Sequence, residues 1–250
     1  MRFDEIEAII GTVPIMPPAH GKVLYDFILT TGRKHLLELG FAHGTSTCYM
    51  AAALDERGEG HITTIDLTTA RENTPDIHSL LRETGLTKYV TPIFAPVSYN
   101  WELKRMLEEQ AQQPDTSASF DFCFLDGLHE WTTDGFAFFL VEKLLTPGGW
   151  LLFDDLDWSY TRFSGPDNDR WPSGMPKEYR DQAHIERVFS LLVTQHPSFE
   201  HFRTSGSWGW AQKKSELPTN SATLLDQVYL KQSIARDLKQ ILRKIYHRFV

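Results

Sequence analysis

Short apolar runs that stop on a glycine or an acid alternate with helical stretches along most of this chain, and that alternation constrains the fold most. The runs are His35–Leu39, His61–Asp66, Tyr89–Phe94, Phe120–Leu125 and Trp150–Phe153, with two more near 199–204 and 208–213. Between them, helical patterns cover Ala19–Thr30, 45–55, 75–84, 98–111, 130–145 and 180–195, and the first ten residues predict a short helix closed by Gly11. The helix at 130–145 is expected to end at Thr146-Pro-Gly-Gly149. Strands taking turns with helices of this length require crossover connections, hence a mostly parallel sheet covered on both faces. The expected architecture is a doubly wound α/β fold with seven strands.

The 250 residues, 41% hydrophobic and 23% charged, suffice for one such domain and its core. Apolar runs such as Phe136–Val141 fall far short of the ~18–20 residues that span a bilayer. The N-terminus is acidic where a signal peptide needs an apolar stretch, and Cys48 and Cys123 make no disulfide framework, so a cytoplasmic location is expected. Both cysteines lie on apolar elements and read as buried and inert. Net charge is −8, which argues against a nucleic-acid partner. Residues 221–250 nevertheless carry net +4. There Ile234, Leu238, Ile241, Ile245 and Phe249 form one apolar line, an amphipathic basic helix. Docking on its own domain or a twin subunit is the favoured role, ahead of a membrane surface, and a homo-oligomer is expected. The division is an N-terminal extension over 1–18, a main domain over 19–215 and the helix over 216–250. Within the main domain, the polar stretch 156–180 is too long for an ordinary connection and reads as a lid or substrate loop.

Two features carry chemistry. The first is Glu38-Leu-Gly40-Phe41-Ala42-His43-Gly44-Thr45-Ser46, a glycine turn between a strand and a helix, followed by Asp66 at the end of the next strand. Glycine permits a sharp turn, helix-opening N–H groups can face a ligand, and a strand-end carboxylate can accept both hydroxyls of a ribose. The spacing is neither that of a dinucleotide fingerprint nor that of a phosphate-binding Walker loop. His43 reads as loop scaffolding or pocket wall.

The second is Asp126 at the end of the fourth strand with Asp154 and Asp155 at the end of the fifth. One such acid reads as a helix cap. Three on consecutive strands, spaced ~4.8 Å apart, repel, so either some are protonated or a cation joins them. Oxygen ligands favour Mg²⁺, Mn²⁺ or Ca²⁺. His129 can serve as a base at neutral pH or cap the surface. Trp131, Tyr160 and Trp171 can pack on a sugar or ring face or in the core.

Glu38-x-Gly40-x-x-x-Gly44, Asp66 and Leu145-Thr-Pro-Gly-Gly149 resemble the motifs of class I S-adenosylmethionine-dependent methyltransferases, over about residues 20–213. The resemblance implies a Rossmann-like sheet and S-adenosylmethionine as donor. It implies that Glu38, Gly40, Phe41, Ala42, Gly44, Thr45 and Ser46 line the methionine moiety, that Asp66 meets the ribose, and that adenine lies near Ala95–Ser98. Asp126-Gly-Leu-His129 followed by Asp154-Asp155 is similar to the metal-dependent O-methyltransferases that act on sugar hydroxyls of natural products and glycans. That likeness implies Mg²⁺ on Asp126, Asp154 and Asp155, His129 with Asp126 as catalytic residues, and a small-molecule hydroxyl as acceptor. Asp154 stands where that branch often has Glu. The rival readings are a dinucleotide-dependent oxidoreductase, a catalytically inactive cofactor-binding assembly protein of the same fold and, more weakly, a metal-dependent hydrolase.

Overall fold

A computed structural model describes residues 1–112, 119–163 and 174–216. The expected C-terminal helix, Trp171 and much of the 156–180 loop lie outside the described residues. The strands are β1 (His35–Leu39), β2 (His61–Leu67), β3 (Val90–Ala95), β4 (Phe120–Leu125), β5 (Leu145–Phe153), β6 (Phe199–Ser205) and β7 (Trp208–Lys213). They form one seven-stranded sheet in the order β3-β2-β1-β4-β5-β7-β6. The pairs from β3 to β5 are parallel, and β7 runs antiparallel between β5 and β6. Strand order reverses between β1 and β4, the switch point where doubly wound sheets open a crevice.

Side-chain alternation sorts the core into two layers. From β1, Leu36 goes to one face and Leu37 and Leu39 to the other; from β4, Phe122 and Phe124 part from Cys123 and Leu125. Every one of these positions is buried, as expected of a sheet covered on both sides. The first face is covered by α1 (Phe3–Ile10), α2 (Pro18–Thr31), α3 (Thr45–Arg57) and α4 (Ile77–Thr84). The second is covered by α5 (Tyr99–Ala111) and α6 (Trp131–Leu144), with short helices α7 (Tyr160–Phe163), α8 (Lys177–Arg180) and α9 (His184–Val188) following β5. Helix α1 contributes Ile6 and Ile10, both fully buried, to the same core cluster as α2 and α3. Burial pushes the Cys48 thiol up to about 12 and the Cys123 thiol well above its ordinary value, in keeping with the inert role expected of both. No helix among the described residues is long and apolar enough to cross a membrane.

Two local expectations change. Thr146-Pro-Gly-Gly149 does not simply stop α6; it is already part of β5. Phe120 pairs with Leu145 and Phe122 with Trp150, so β5 spends extra residues in a bulge, where Gly148 takes φ +76°. The helix expected over 180–195 is also broken. The carbonyl of Tyr179 is taken by the His184 ring (2.7 Å), and a wide π turn over Phe189–Val193 follows α9.

Candidate functional site

The parallel ladder runs on past the strand ends. Gly40 N donates to Ile65 O (2.8 Å), Asp126 N to Leu39 O (2.8 Å) and Asp154 N to Leu125 O (3.0 Å). This continuation sets the turns after β1, β4 and β5 side by side. A cavity of about 230 Å³ opens above them. Of the residues expected to bind cofactor, Gly40, Phe41, Ala42, Thr45, Ser46 and Asp66 line it, and so do Asp126 and His129. Ile15 and Met16 close it from the segment before α2, and Tyr99 from the start of α5; none of these three was singled out in the sequence.

Glu38 and Gly44, also expected to bind cofactor, do not line the cavity. Glu38 is fully buried and accepts from Ser46 Oγ (2.5 Å), Thr47 Oγ1 (2.5 Å) and Thr64 Oγ1 (2.6 Å). It ties β1 to the first turn of α3 and to β2, so it shapes the glycine loop from behind. Burial pushes its carboxyl up to about 7, against the pull of those hydroxyl donors. Gly44 takes φ +92°, and a Cβ there would sit 2.6 Å from Ile77 Cγ1, so it makes room for α4. Asp66 turns its Oδ2 to the N–H groups of Phe41 (2.9 Å) and Ala42 (2.7 Å), while its Oδ1 takes that of Leu67 (2.6 Å). His43 acts as scaffold, with Nδ1 2.7 Å from Pro75 O. Ala95–Ser98, where the adenine was expected, is not part of this wall; Ala95 is fully buried and Ser98 caps α5 through Asn100 N (3.2 Å).

The acids gather around His129. Its Nε2 lies 3.1 Å from Asp155 Oδ2 and 3.8 Å from Asp126 Oδ1. One ligand atom from each of Asp126, His129 and Asp155 falls within 4.8 Å of the others. Asp154, expected to hold the cation with Asp126 and Asp155, is not in this group. Its Oδ1 accepts from Asp155 N (2.6 Å) and Ser207 Oγ (3.3 Å). Burial, then the charges of Asp154 and Asp155, holds the Asp126 carboxyl well above the usual range. Asp155 is raised by burial and by Asp157, and Asp154 by burial and by Asp155. Burial lowers the His129 pKa, opposed by Asp134 and Asp154, which favours the neutral imidazole.

Asp134, which no sequence motif marks, gives the loop carrying these groups its shape. It is fully buried in α6; its Oδ1 accepts from Tyr99 Oη and its Oδ2 from Glu130 N (2.8 Å). Gly127 fits beneath, where a Cβ would lie 2.2 Å from Asp134 Oδ1. An acid four residues after a helix cap looks like an ordinary surface residue in sequence, so only the partner from α5 reveals it.

Residues 37–156 match the family described as a methyltransferase domain. No curated protein matches the chain in sequence. Among solved structures, an O-methyltransferase from Bacillus cereus in complex with SAH is 20% identical, with TM-score 0.58 over 85% of this chain and 90% of that one. TomG from Streptomyces achromogenes, an O-methyltransferase involved in tomaymycin synthesis and solved with SAM, is 19% identical, with TM-score 0.58 over 85% and 87%. A Staphylococcus aureus protein assigned as a caffeoyl-CoA O-methyltransferase is 18% identical, with TM-score 0.56 over 86% and 92%. At these identities the likeness is one of fold. Residues 37–156 are thus similar to a methyltransferase domain, and the glycine turn lies at the switch point of a sheet folded as in these O-methyltransferases.

Proposed function

We propose that this chain moves the methyl group of S-adenosylmethionine to a hydroxyl of a sugar or similar small molecule, with a divalent cation such as Mg²⁺ at the acidic cluster. One observation carries the reading: Asp126, His129 and Asp155 converge within 4.8 Å on the rim of the cavity that Gly40 and Asp66 also line. Such a cavity brings the donor and a deprotonating centre to one place. Three of the solved structures of similar fold are described as O-methyltransferases, one with SAH and one with SAM. The match of residues 37–156 to a methyltransferase domain favours this reading over a dinucleotide-dependent oxidoreductase.

The donor set fits a hard cation. Burial raises the pKa of both carboxylates, and the charge of Asp155 raises that of Asp126 further; beside an imidazole favoured in its neutral form, they make a pocket that a positive charge would relieve. Asp126 and Asp155 would hold the ion. When bound, it would supply Lewis acidity to the acceptor hydroxyl. The chain does the rest. The glycine loop and Asp66 orient the donor, and His129 Nε2 takes the hydroxyl proton. The oxygen attacks the methyl carbon in line, the C–S bond breaks, and its electron pair stays on sulfur, leaving S-adenosylhomocysteine.

The 3.1 Å approach of His129 to Asp155 favours a second reading, in which the imidazole is itself a third ligand. Calorimetric titration of donor and of Mg²⁺, followed by methyl transfer with and without EDTA, tests both. Asp126→Ala is expected to abolish turnover while largely sparing donor affinity. His129→Ala with unchanged Mg²⁺ affinity identifies a base; weakened Mg²⁺ affinity identifies a ligand. Full turnover in EDTA removes the cation from the proposal.

A further inference from the structure

A second cavity, of about 460 Å³, lies at the start of α6. Leu128 and His129 line the first cavity, and the next three residues, Glu130, Trp131 and Thr132, line the second. Its other walls come from the stretch between Met175 and Leu191, which carries α8, α9 and the π turn, with Tyr179, Met175 and Leu191 as apolar surface and Gln182 and Arg187 as donors. Three of these walls keep large apolar area open to solvent: Trp131 is 37% exposed, Tyr179 54% and Leu191 55%. Isolated exposed apolar residues are ordinary, but several converging on one cavity mark a binding surface.

A run of ring contacts links a wall of the first cavity to a wall of the second. His129 meets Trp158 edge-on (5.3 Å between centroids), Trp158 meets Tyr160 (4.7 Å), and Tyr160 meets His184 (5.6 Å). His184 then closes the run: its Nδ1 accepts from Trp131 N (3.3 Å) while Nε2 faces Tyr179 O (2.7 Å). The imidazole thus fixes both aromatic walls of the second cavity relative to the His129 loop. From a hydroxyl at His129 the run of rings leads to the second cavity, where an indole and a phenol favour the flat face of a ring.

Building on the methyltransferase reading, we propose that the cavity between the start of α6 and α8–α9 is the acceptor's second subsite. It would take an aromatic or otherwise flat, apolar ring carried by the acceptor beyond the hydroxyl that is methylated. The acceptor class would then be a hydroxylated molecule with a ring substituent, such as an aryl glycoside, rather than a bare sugar.

Calorimetry on the full chain, with S-adenosylhomocysteine and Mg²⁺ present, compares phenyl β-D-glucopyranoside with methyl β-D-glucopyranoside. The phenyl compound is expected to bind about tenfold tighter or more. That gap should close in Trp131→Ala and, independently, in Leu191→Arg, which fills the cavity from a solvent-facing position and leaves the core untouched. S-adenosylhomocysteine affinity should stay within about twofold in both variants. Equal or absent binding of the two glucosides, or a gap that survives both substitutions, overturns the subsite while leaving the methyltransferase reading in place. An unmodified chain that does not bind S-adenosylhomocysteine overturns that reading instead.

Discussion

A side chain on Gly40 has nowhere to go. Its φ is +85°, and a Cβ would stand 1.8 Å from the carbonyl oxygen of Asp126. Gly40→Ala should therefore cost about 2–4 kcal/mol and pull β1 away from β4, weakening donor binding as well. Thermal denaturation and donor titration of the variant check this; a stable variant with normal donor affinity contradicts it. Glu38 behaves differently, through charge. Its pKa rises from near 4.5 to about 7 on folding, so the folded chain holds a proton that the unfolded chain has released between those values. Stability from this group is present below about pH 4.5, declines as pH climbs towards 7 and is lost above it. The loss is of the order of 3 kcal/mol. Glu38→Gln should flatten that part of the profile, measured as urea denaturation at pH 5 and pH 7.5 for both proteins. An unchanged slope sinks the assignment. Gly40, Asp66 and Asp126 were legible because strand ends fix where they sit. The aim of Glu38 and Asp154 was not, since a side chain's direction at a strand end depends on neighbours from distant segments.

At the scale of elements, the loop from Asp126 to Glu130 is held by the Tyr99–Asp134 pair on its inner side. Both helices were readable from their apolar spacing, but their mutual contact is long-range and leaves no local pattern. Breaking this clamp should blunt catalysis without emptying the donor site. Asp134→Asn and Tyr99→Phe are each expected to lower kcat by about 10–100-fold, as loss of a supporting partner does elsewhere. Donor affinity should hold within about twofold, and the double variant should be little worse than the poorer single one, since both changes break one contact. Additive losses, or a fall in donor affinity as large as that in kcat, point to general damage. The same contrast explains β5 and α9. Apolar content placed both, yet the bulge at Thr146–Gly149 and the break before His184 come from pairing and a side-chain hydrogen bond that no local propensity encodes.

Across the whole molecule, unfavourable backbone is concentrated where the chemistry is proposed. Five non-glycine residues among those described have positive φ: Ile15, Ala42, His129, Asp155 and His201. The first three line the cavity over Gly40, and Asp155 joins the acidic cluster beside it. Left-handed conformations cost about 1–3 kcal/mol each and persist where surrounding structure enforces them. The same place gathers Asp126, Asp154 and Asp155, whose charges burial makes harder to bear. A fold that tolerates strain and like charge together at one rim is less stable there than its sequence allows, which is the usual trade between stability and activity. Asp126→Asn should expose that trade. In EDTA at pH 8 the variant should be more stable than the parent by roughly 1–2 kcal/mol, because one buried negative charge is gone. With Mg²⁺ at about a hundred times its dissociation constant the order should reverse, as the parent gains roughly 2.7 kcal/mol and the variant almost nothing. Paired thermal melts with EDTA and with Mg²⁺ read both signs. A parent that is the more stable protein in EDTA, or a variant that gains as much from Mg²⁺, would show that these acids are placed for contacts within the chain and not for a cation.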